Sequence, residues 1–128
     1  TLIELAGGEP MENVDGPSLV PILRGESQPV REVLHGEHSP CYDDEQAFHL
    51  LTDGRMKYIW RPHSGDEQLF DLTNDPQECT NLAAQAEHSA EVTHWRDRLI
   101  AQLKDRPEGF SDGEKLIAGR PYPDLMPT

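Results

Sequence analysis

The feature that most constrains the fold is a turn dipeptide, Asp53-Gly54, that separates two stretches with strand-like patterns. Asp-Gly is favoured in two-residue type I′ turns, because both central positions of that turn require a positive φ. The preceding stretch, 46–52 (QAFHLLT), and the following stretch, 55–61 (RMKYIWR), each alternate between two faces. In the first stretch Phe48 and Leu50 lie on one face. In the second stretch one face carries Met56, Tyr58 and Trp60. The pattern predicts an antiparallel hairpin closed by a type I′ turn.

Two further stretches extend this hairpin into a sheet. Residues 30–38 carry apolar side chains at Val33 and Leu34 and predict the first strand. Residues 67–72 (EQLFDL) predict the fourth strand. Asn74-Asp75-Pro76 should end this strand, because proline has no backbone N–H to donate to a neighbouring strand. We therefore expect a four-stranded antiparallel sheet.

A helix is predicted after the sheet, from about Ser89 to Lys104. Ser89 is a suitable N-cap residue, and Pro107 with Gly109 ends the helical pattern. Its apolar residues repeat at spacings of three and four: Val92, Trp95, Leu99 and Leu103. This stripe should pack on the sheet, with Trp60 and Trp95 as core partners. The predicted fold class is α+β, with one long helix on a four-stranded antiparallel sheet.

The two ends of the chain have their own patterns. Residues 1–8 begin without Met and resemble the last turns of a helix that ends at Gly7-Gly8, which suggests a piece of a longer protein. A short helical turn around Pro21 should end at Gly25. Residues 107–128 are rich in Gly and Pro and predict an extended tail.

Composition limits the classes of partner. The chain has 24 acidic and 11 basic side chains and a net charge of -13, which repels nucleic acids and anionic membrane surfaces. We expect a soluble protein with neither as a partner. Cys41 and Cys79, the two cysteines, match no zinc or redox spacing, so both a bacterial cytoplasmic and a periplasmic location stay open. Acidic residues after Cys41 argue against a nucleophilic thiolate there.

The densest polar cluster is His35-Gly36-Glu37-His38. Its two histidines are three residues apart on a predicted strand end, so they should point to opposite faces and not bind a metal by themselves. A substrate-facing loop and a structural strand end are both compatible with the cluster. The remaining histidines stand alone in the sequence and are predicted to be surface residues: His49, His63, His88 and His94.

The order and spacing of several motifs resemble the C-terminal end of the sulfatase family, in the alkaline-phosphatase-like superfamily that includes arylsulfatases and phosphonate monoester hydrolases. The resemblance covers residues 1 to about 113. Its motifs are "TLIELAG", "DGPSLVPILRG", "HGEH", "TDGRMKYIW", "EQLFDLTNDPQECTNLA" and "WRDRLIAQL". It implies that 1–25 are the end of the larger α/β catalytic domain with a connector, that 26–106 are the C-terminal subdomain, and that 107–128 are a tail.

The resemblance also implies a reaction for the parent protein. Sulfatases hydrolyse sulfate esters with a formylglycine made from a Cys-x-Pro-Ser-x-Arg motif and a divalent cation, usually calcium. That motif is absent from this sequence, so we expect no catalytic residue, metal ligand or cofactor in the chain itself. The expected partners are a missing N-terminal catalytic domain and a sulfate-ester substrate.

The implied role of the chain is to complete the fold and one wall of the substrate cleft. The loop from His35 to Asp44 is the predicted wall, with His35, Glu37 and His38 as substrate-facing candidates. Two alternatives remain at this point: the same role in a phosphonate monoester or phosphodiester hydrolase, or a stand-alone acidic interaction module.

Overall fold

The computed structural model describes residues 1–9, 12, 14, 16–26, 31–40 and 43–122. The chain divides into two units, Thr1–Glu32 and Val33–Thr128. None of the helices in the described ranges combines the length and apolar character needed to span a bilayer.

The first unit contains two short helices, α1 (Leu2–Leu5) and α2 (Val20–Leu23). Gly7 and Gly25 follow them with φ of 80° and 79°, the left-handed conformation in which helices commonly end. Two hydrogen bonds join the helix starts: the Ser18 hydroxyl donates to the Glu4 carboxylate, and the Leu19 amide donates to the Thr1 hydroxyl. Both helical predictions for this region are confirmed.

The second unit is built on one antiparallel sheet in the order β1-β2-β3-β4. Its strands are β1 (Leu34–His38), β2 (Phe48–Thr52), β3 (Met56–Trp60) and β4 (Glu67–Asp71). The predicted α+β class with four antiparallel strands is therefore confirmed. The first strand begins at Leu34, later than predicted; Val33 precedes it and packs on the core, and Val30 lies outside the described residues.

The turn between β2 and β3 corrects the sequence prediction. Thr52 pairs with Lys57, so four residues lie between the paired ends, and only Gly54 has a positive φ, at 86°. The Asp53 carboxylate instead accepts hydrogen bonds from the Arg55 and Met56 amides, at 2.9 and 2.7 Å. Because the aspartate side chain closes the turn, type I′ geometry is not needed, and that prediction was wrong.

The long helix α3 (Ser89–Leu103) packs on one face of the sheet. The predicted stripe is buried, and it shares a core with the β3 residues Met56, Tyr58 and Trp60. The Ser89 N-cap prediction was wrong: His88 occupies that position without a side-chain cap, and Ser89 is the first helical residue. Short 3₁₀ turns at 82–84 and 86–88 lead the chain into the helix, which explains the shift.

An ion pair at the sheet–helix interface fixes α3 on β4. Arg96 donates two hydrogen bonds to the Glu67 carboxylate, at 2.7 and 2.6 Å, and the Tyr58 hydroxyl donates to the same carboxylate. Burial raises the pKa of Tyr58 well above its usual range, and Glu67 raises it further. The bidentate pair gives α3 a directional contact with β4 beside its buried apolar residues.

The segment after α3, which we predicted as an extended tail, contributes to the core. Phe110 is 1% exposed and belongs to the main hydrophobic cluster, while Leu116 and Tyr122 pack against that cluster. A single β-bridge joins Ser111 to Leu116. The buried Ser111 hydroxyl donates to the Ile100 carbonyl at 3.0 Å, which ties the segment to the end of α3.

Candidate functional site

Strand register brings three polar side chains together at one edge of the sheet. Glu37 pairs with His49 and His35 pairs with Leu51, so all of these side chains lie on the face that α3 covers. His35 Nε2 is 3.2 Å from His49 Nδ1, and His49 Nδ1 is 3.5 Å from Glu37 Oε2. One ligand atom from each of the three residues lies within 4.8 Å of the others. We call His35, Glu37 and His49 the histidine–glutamate cluster.

His49 is the buried centre of this cluster, with 0% exposure. Its ring stacks on Trp60 and Tyr122 and meets Phe110 edge-on, with centroids 5.6–6.3 Å apart. The prediction of a surface imidazole was wrong for His49. Strand alternation places it on the face of Leu51, and the hairpin register sets it opposite Trp60.

Arg106 lies on the solvent side of the cluster. It donates to Glu37 at 2.5 and 3.2 Å and to Glu108 at 3.2 and 2.5 Å. Both carboxyl groups have a lowered pKa because the guanidinium hydrogen-bonds their ionised forms. The Glu37 side chain is 40% exposed, so this side of the cluster remains open to solvent.

Both imidazoles in the cluster favour the neutral form. Burial lowers the pKa of His49 to about 4, and the neighbouring His35 lowers it further. Burial also lowers the pKa of His35. The Tyr122 hydroxyl lies 3.1 Å from His49 Nε2, and burial raises its pKa to about 12, so it stays a neutral partner near pH 7.

The structure separates the three substrate-facing candidates. His35 and Glu37 belong to the cluster, whereas His38 lies on the opposite face and stacks on Phe48 with centroids 5.5 Å apart. The two histidines therefore point to opposite faces, as their spacing predicts. The predicted loop from His35 to Asp44 was wrong for residues 35–38, which belong to β1, and Cys41 lies outside the described residues.

The other three histidines stand apart from the cluster. His63 and His94 are exposed, as expected. His88 is half-buried and lies near Glu87 and Glu91, with nitrogen–oxygen distances of 3.7 and 3.6 Å, so its description as a lone surface residue was incomplete.

Sequence reasoning missed His49, Arg106 and Tyr122 as members of the site. For His49 a signal existed, because the alternation of 46–52 puts it on the same face as Leu51. Arg106 and Tyr122 lie 69 and 73 residues from their partners, Glu37 and His49, and no local pattern links them.

The donor set of the cluster defines its coordination chemistry. It offers two imidazole nitrogens and one carboxylate, whereas calcium prefers ligand sets made of oxygen atoms. The calcium that the sulfatase resemblance implies therefore does not fit here. The cluster has the composition of sites for borderline transition metals instead.

Comparisons with known proteins cover almost the whole chain. No family model matches it. The chain is 35% identical over 125 residues to an arylsulfatase of Clostridium perfringens, which is 98% of this chain and 25% of that protein. It is 32% identical over 110 residues to a Δ4,5-hexuronate-2-O-sulfatase of Bacteroides thetaiotaomicron, which is 82% of this chain and 23% of that protein.

Solved structures agree with these relatives. A 2-O glycosaminoglycan sulfatase superposes with a TM-score of 0.75 at 28% identity, covering 92% of this chain and 26% of that one. The phosphonate monoester hydrolase of Agrobacterium radiobacter gives a TM-score of 0.60 at 26% identity, covering 79% and 23%. The chain thus spans about a quarter of the length of these proteins. In sequence and fold it is a C-terminal subdomain of the sulfatase type, within the alkaline-phosphatase-like superfamily.

Proposed function

We propose that this chain serves as the small subdomain of a hydrolase that cleaves sulfate esters. The observation that carries the proposal is the match of 98% of the chain to 25% of an arylsulfatase. The formylglycine and the divalent metal, usually calcium in this family, would then belong to the remaining part of the parent protein. The absence of a Cys-x-Pro-Ser-x-Arg motif from this sequence supports that division.

Within this proposal, His35 and Glu37 form part of the wall of the substrate cleft. Glu37 is the most open member of the histidine–glutamate cluster, and it is held by Arg106 rather than buried. Imidazole and carboxylate groups hydrogen-bond hydroxyl groups, so these side chains would recognise the part of the substrate beyond the sulfate. His38 remains a candidate, but from the opposite face of the sheet.

The test compares two substrates in the full-length parent enzyme. The variants are His35→Ala, His38→Ala and the double variant, assayed on a minimal aryl sulfate and on a larger natural-type sulfate ester. Because bond cleavage is assigned to the metal and formylglycine, kcat/KM for the larger substrate should fall by about tenfold or more, with little change for the aryl sulfate.

The single variants assign the effect to one face of the sheet. A loss with His35→Ala alone places the wall on the face of the histidine–glutamate cluster, and a loss with His38→Ala alone places it on the other face. His63→Ala is the matched control, since that histidine is exposed and outside the cluster. Equal effects on both substrates, or no effect on either, would contradict a role in recognition.

A phosphonate monoester hydrolase is the second candidate, because one such enzyme shares the fold with a TM-score of 0.60. The subdomain would play the same part in both cases. Assay of the parent enzyme on an aryl sulfate and on a phenyl phosphonate ester distinguishes them, and the substrate with the higher kcat/KM identifies the class.

A further inference from the structure

We propose that His35, Glu37 and His49 form a binding site for a transition-metal ion of the Zn²⁺ class. This site would be separate from the catalytic cation of sulfatases. The inference rests on the geometry of the described residues and does not depend on the parent's activity.

The spacing of the ligand atoms suits one ion. Two ligands bound to Zn²⁺ at 2.0–2.1 Å in tetrahedral geometry are about 3.3 Å apart. His35 Nε2 and His49 Nδ1 are 3.2 Å apart, and Glu37 Oε2 is 3.5 Å from that same His49 nitrogen. The three ligand atoms lie within 4.8 Å of one another, so rotation of the Glu37 side chain, without a shift of the strands, would bring all three to one ion.

The hydrogen bonding of His49 also suits coordination. When His49 Nε2–H donates to the Tyr122 hydroxyl, 3.1 Å away, Nδ1 presents a lone pair to His35 and Glu37. A metal-bound histidine typically donates its second ring N–H to an oxygen in this way, which sets the tautomer.

The local charge favours a cation. Glu37 and Glu108 are two carboxylates that share one guanidinium, Arg106, so these three groups carry a net charge of about -1 when ionised. Arg106 would hydrogen-bond the coordinating carboxylate from outside, as is common for carboxylate ligands of metals. The chain as a whole carries -13, which lowers the electrostatic cost of binding a dication.

Two histidines and one carboxylate leave a fourth position open. Such a set is known from zinc sites that keep a water or substrate in that position. The Glu37 side chain is 40% exposed and His35 is half-buried, so water can reach the open position.

The test is a titration of the metal-free 128-residue chain with ZnCl₂ against a chromophoric chelator. Cys41→Ser and Cys79→Ser are introduced together as a background, because thiolates also bind zinc. We expect one Zn²⁺ per chain, a higher Tm with zinc, and affinity reduced by about tenfold or more in His35→Ala and in Glu37→Gln.

Matched controls separate this site from adventitious binding. His38→Ala is on the same strand but the opposite face, so it should leave the affinity unchanged. Ring ¹⁵N NMR of the background chain gives an independent measure without altering the site: zinc should shift His35 and His49 but not His63 or His94. Absence of stoichiometric binding, equal affinity in His35→Ala and Glu37→Gln, or ring shifts confined to other histidines would overturn the proposal.

Discussion

At the scale of single residues, His49 shows how burial changes the meaning of a side chain. Its ring is enclosed by Trp60, Phe110 and Tyr122, and both of its nitrogens have polar neighbours. A buried imidazole without a firm carboxylate partner stays neutral, because desolvation disfavours its charged form. The same neutrality that makes it a candidate ligand makes the fold sensitive to acid.

The first residue-scale prediction concerns pH. The folded-state pKa of His49 is about 4, below the ordinary 6.5, so between these values the unfolded chain binds the extra proton. The free energy of unfolding should therefore decrease as the pH drops from 6.5 toward 4. The contribution of His49 to this decrease is at most about 3 kcal/mol. Denaturant unfolding of the metal-free protein at pH 7 and pH 5 measures the change.

His49→Gln isolates the contribution of the histidine, because the glutamine amide does not titrate but keeps hydrogen-bonding capacity. The surrounding groups, His35, Glu37, Arg106, Glu108 and Tyr122, are the same in both proteins. The difference in unfolding free energy between pH 7 and pH 5 should be smaller in the variant. Parallel pH profiles for the two proteins would contradict the assignment.

At the scale of elements, the packing of α3 on the sheet carries most of the core. Trp95 is 3% exposed and lies in the same cluster as Trp60 and Leu99. Arg96, next to it, fixes the helix through the Glu67 carboxylate. The apolar stripe thus supplies the burial, and the ion pair beside it adds a directional contact between α3 and β4.

Trp95→Ala should lower the free energy of unfolding by about 3–5 kcal/mol, because the substitution leaves a large cavity between helix and sheet. Urea denaturation followed by far-UV circular dichroism measures it. Gln102→Ala is the matched control on an exposed position of the same helix, with an expected change within about 0.5 kcal/mol. A loss below about 0.5 kcal/mol for Trp95→Ala would place that side chain outside the core.

At the scale of the whole molecule, the chain corresponds to about a quarter of a sulfatase-like protein. Its histidine–glutamate cluster consists of two imidazoles and one carboxylate, and it contains neither a thiol nor a hydroxyl nucleophile. We therefore predict that the purified chain hydrolyses neither aryl sulfates nor aryl phosphates. Chromogenic assays with each ester, with and without added divalent cations, test this; turnover above a blank that is lost on chelation would contradict it.

The sequence by itself determined that the four stretches form antiparallel strands, that two of them pair across Asp53-Gly54, and which face of α3 is buried. These features are local, because each depends on a pattern within one short segment of sequence. Apolar residues alternate from Met56 to Trp60, and they recur at spacings of three and four from Val92 to Leu103. The family resemblance was also visible in the motifs, because it depends on their order and spacing.

Only the tertiary structure decided the site. Glu37 meets Arg106 across 69 residues, and His49 meets Tyr122 across 73, so neither pairing leaves a periodic trace in the sequence. The turn at Asp53 was also misjudged, because its aspartate side chain replaces a backbone geometry that the dipeptide alone suggests. Local patterns report which face of an element is apolar, whereas contacts between distant polar groups depend on how the finished elements are packed.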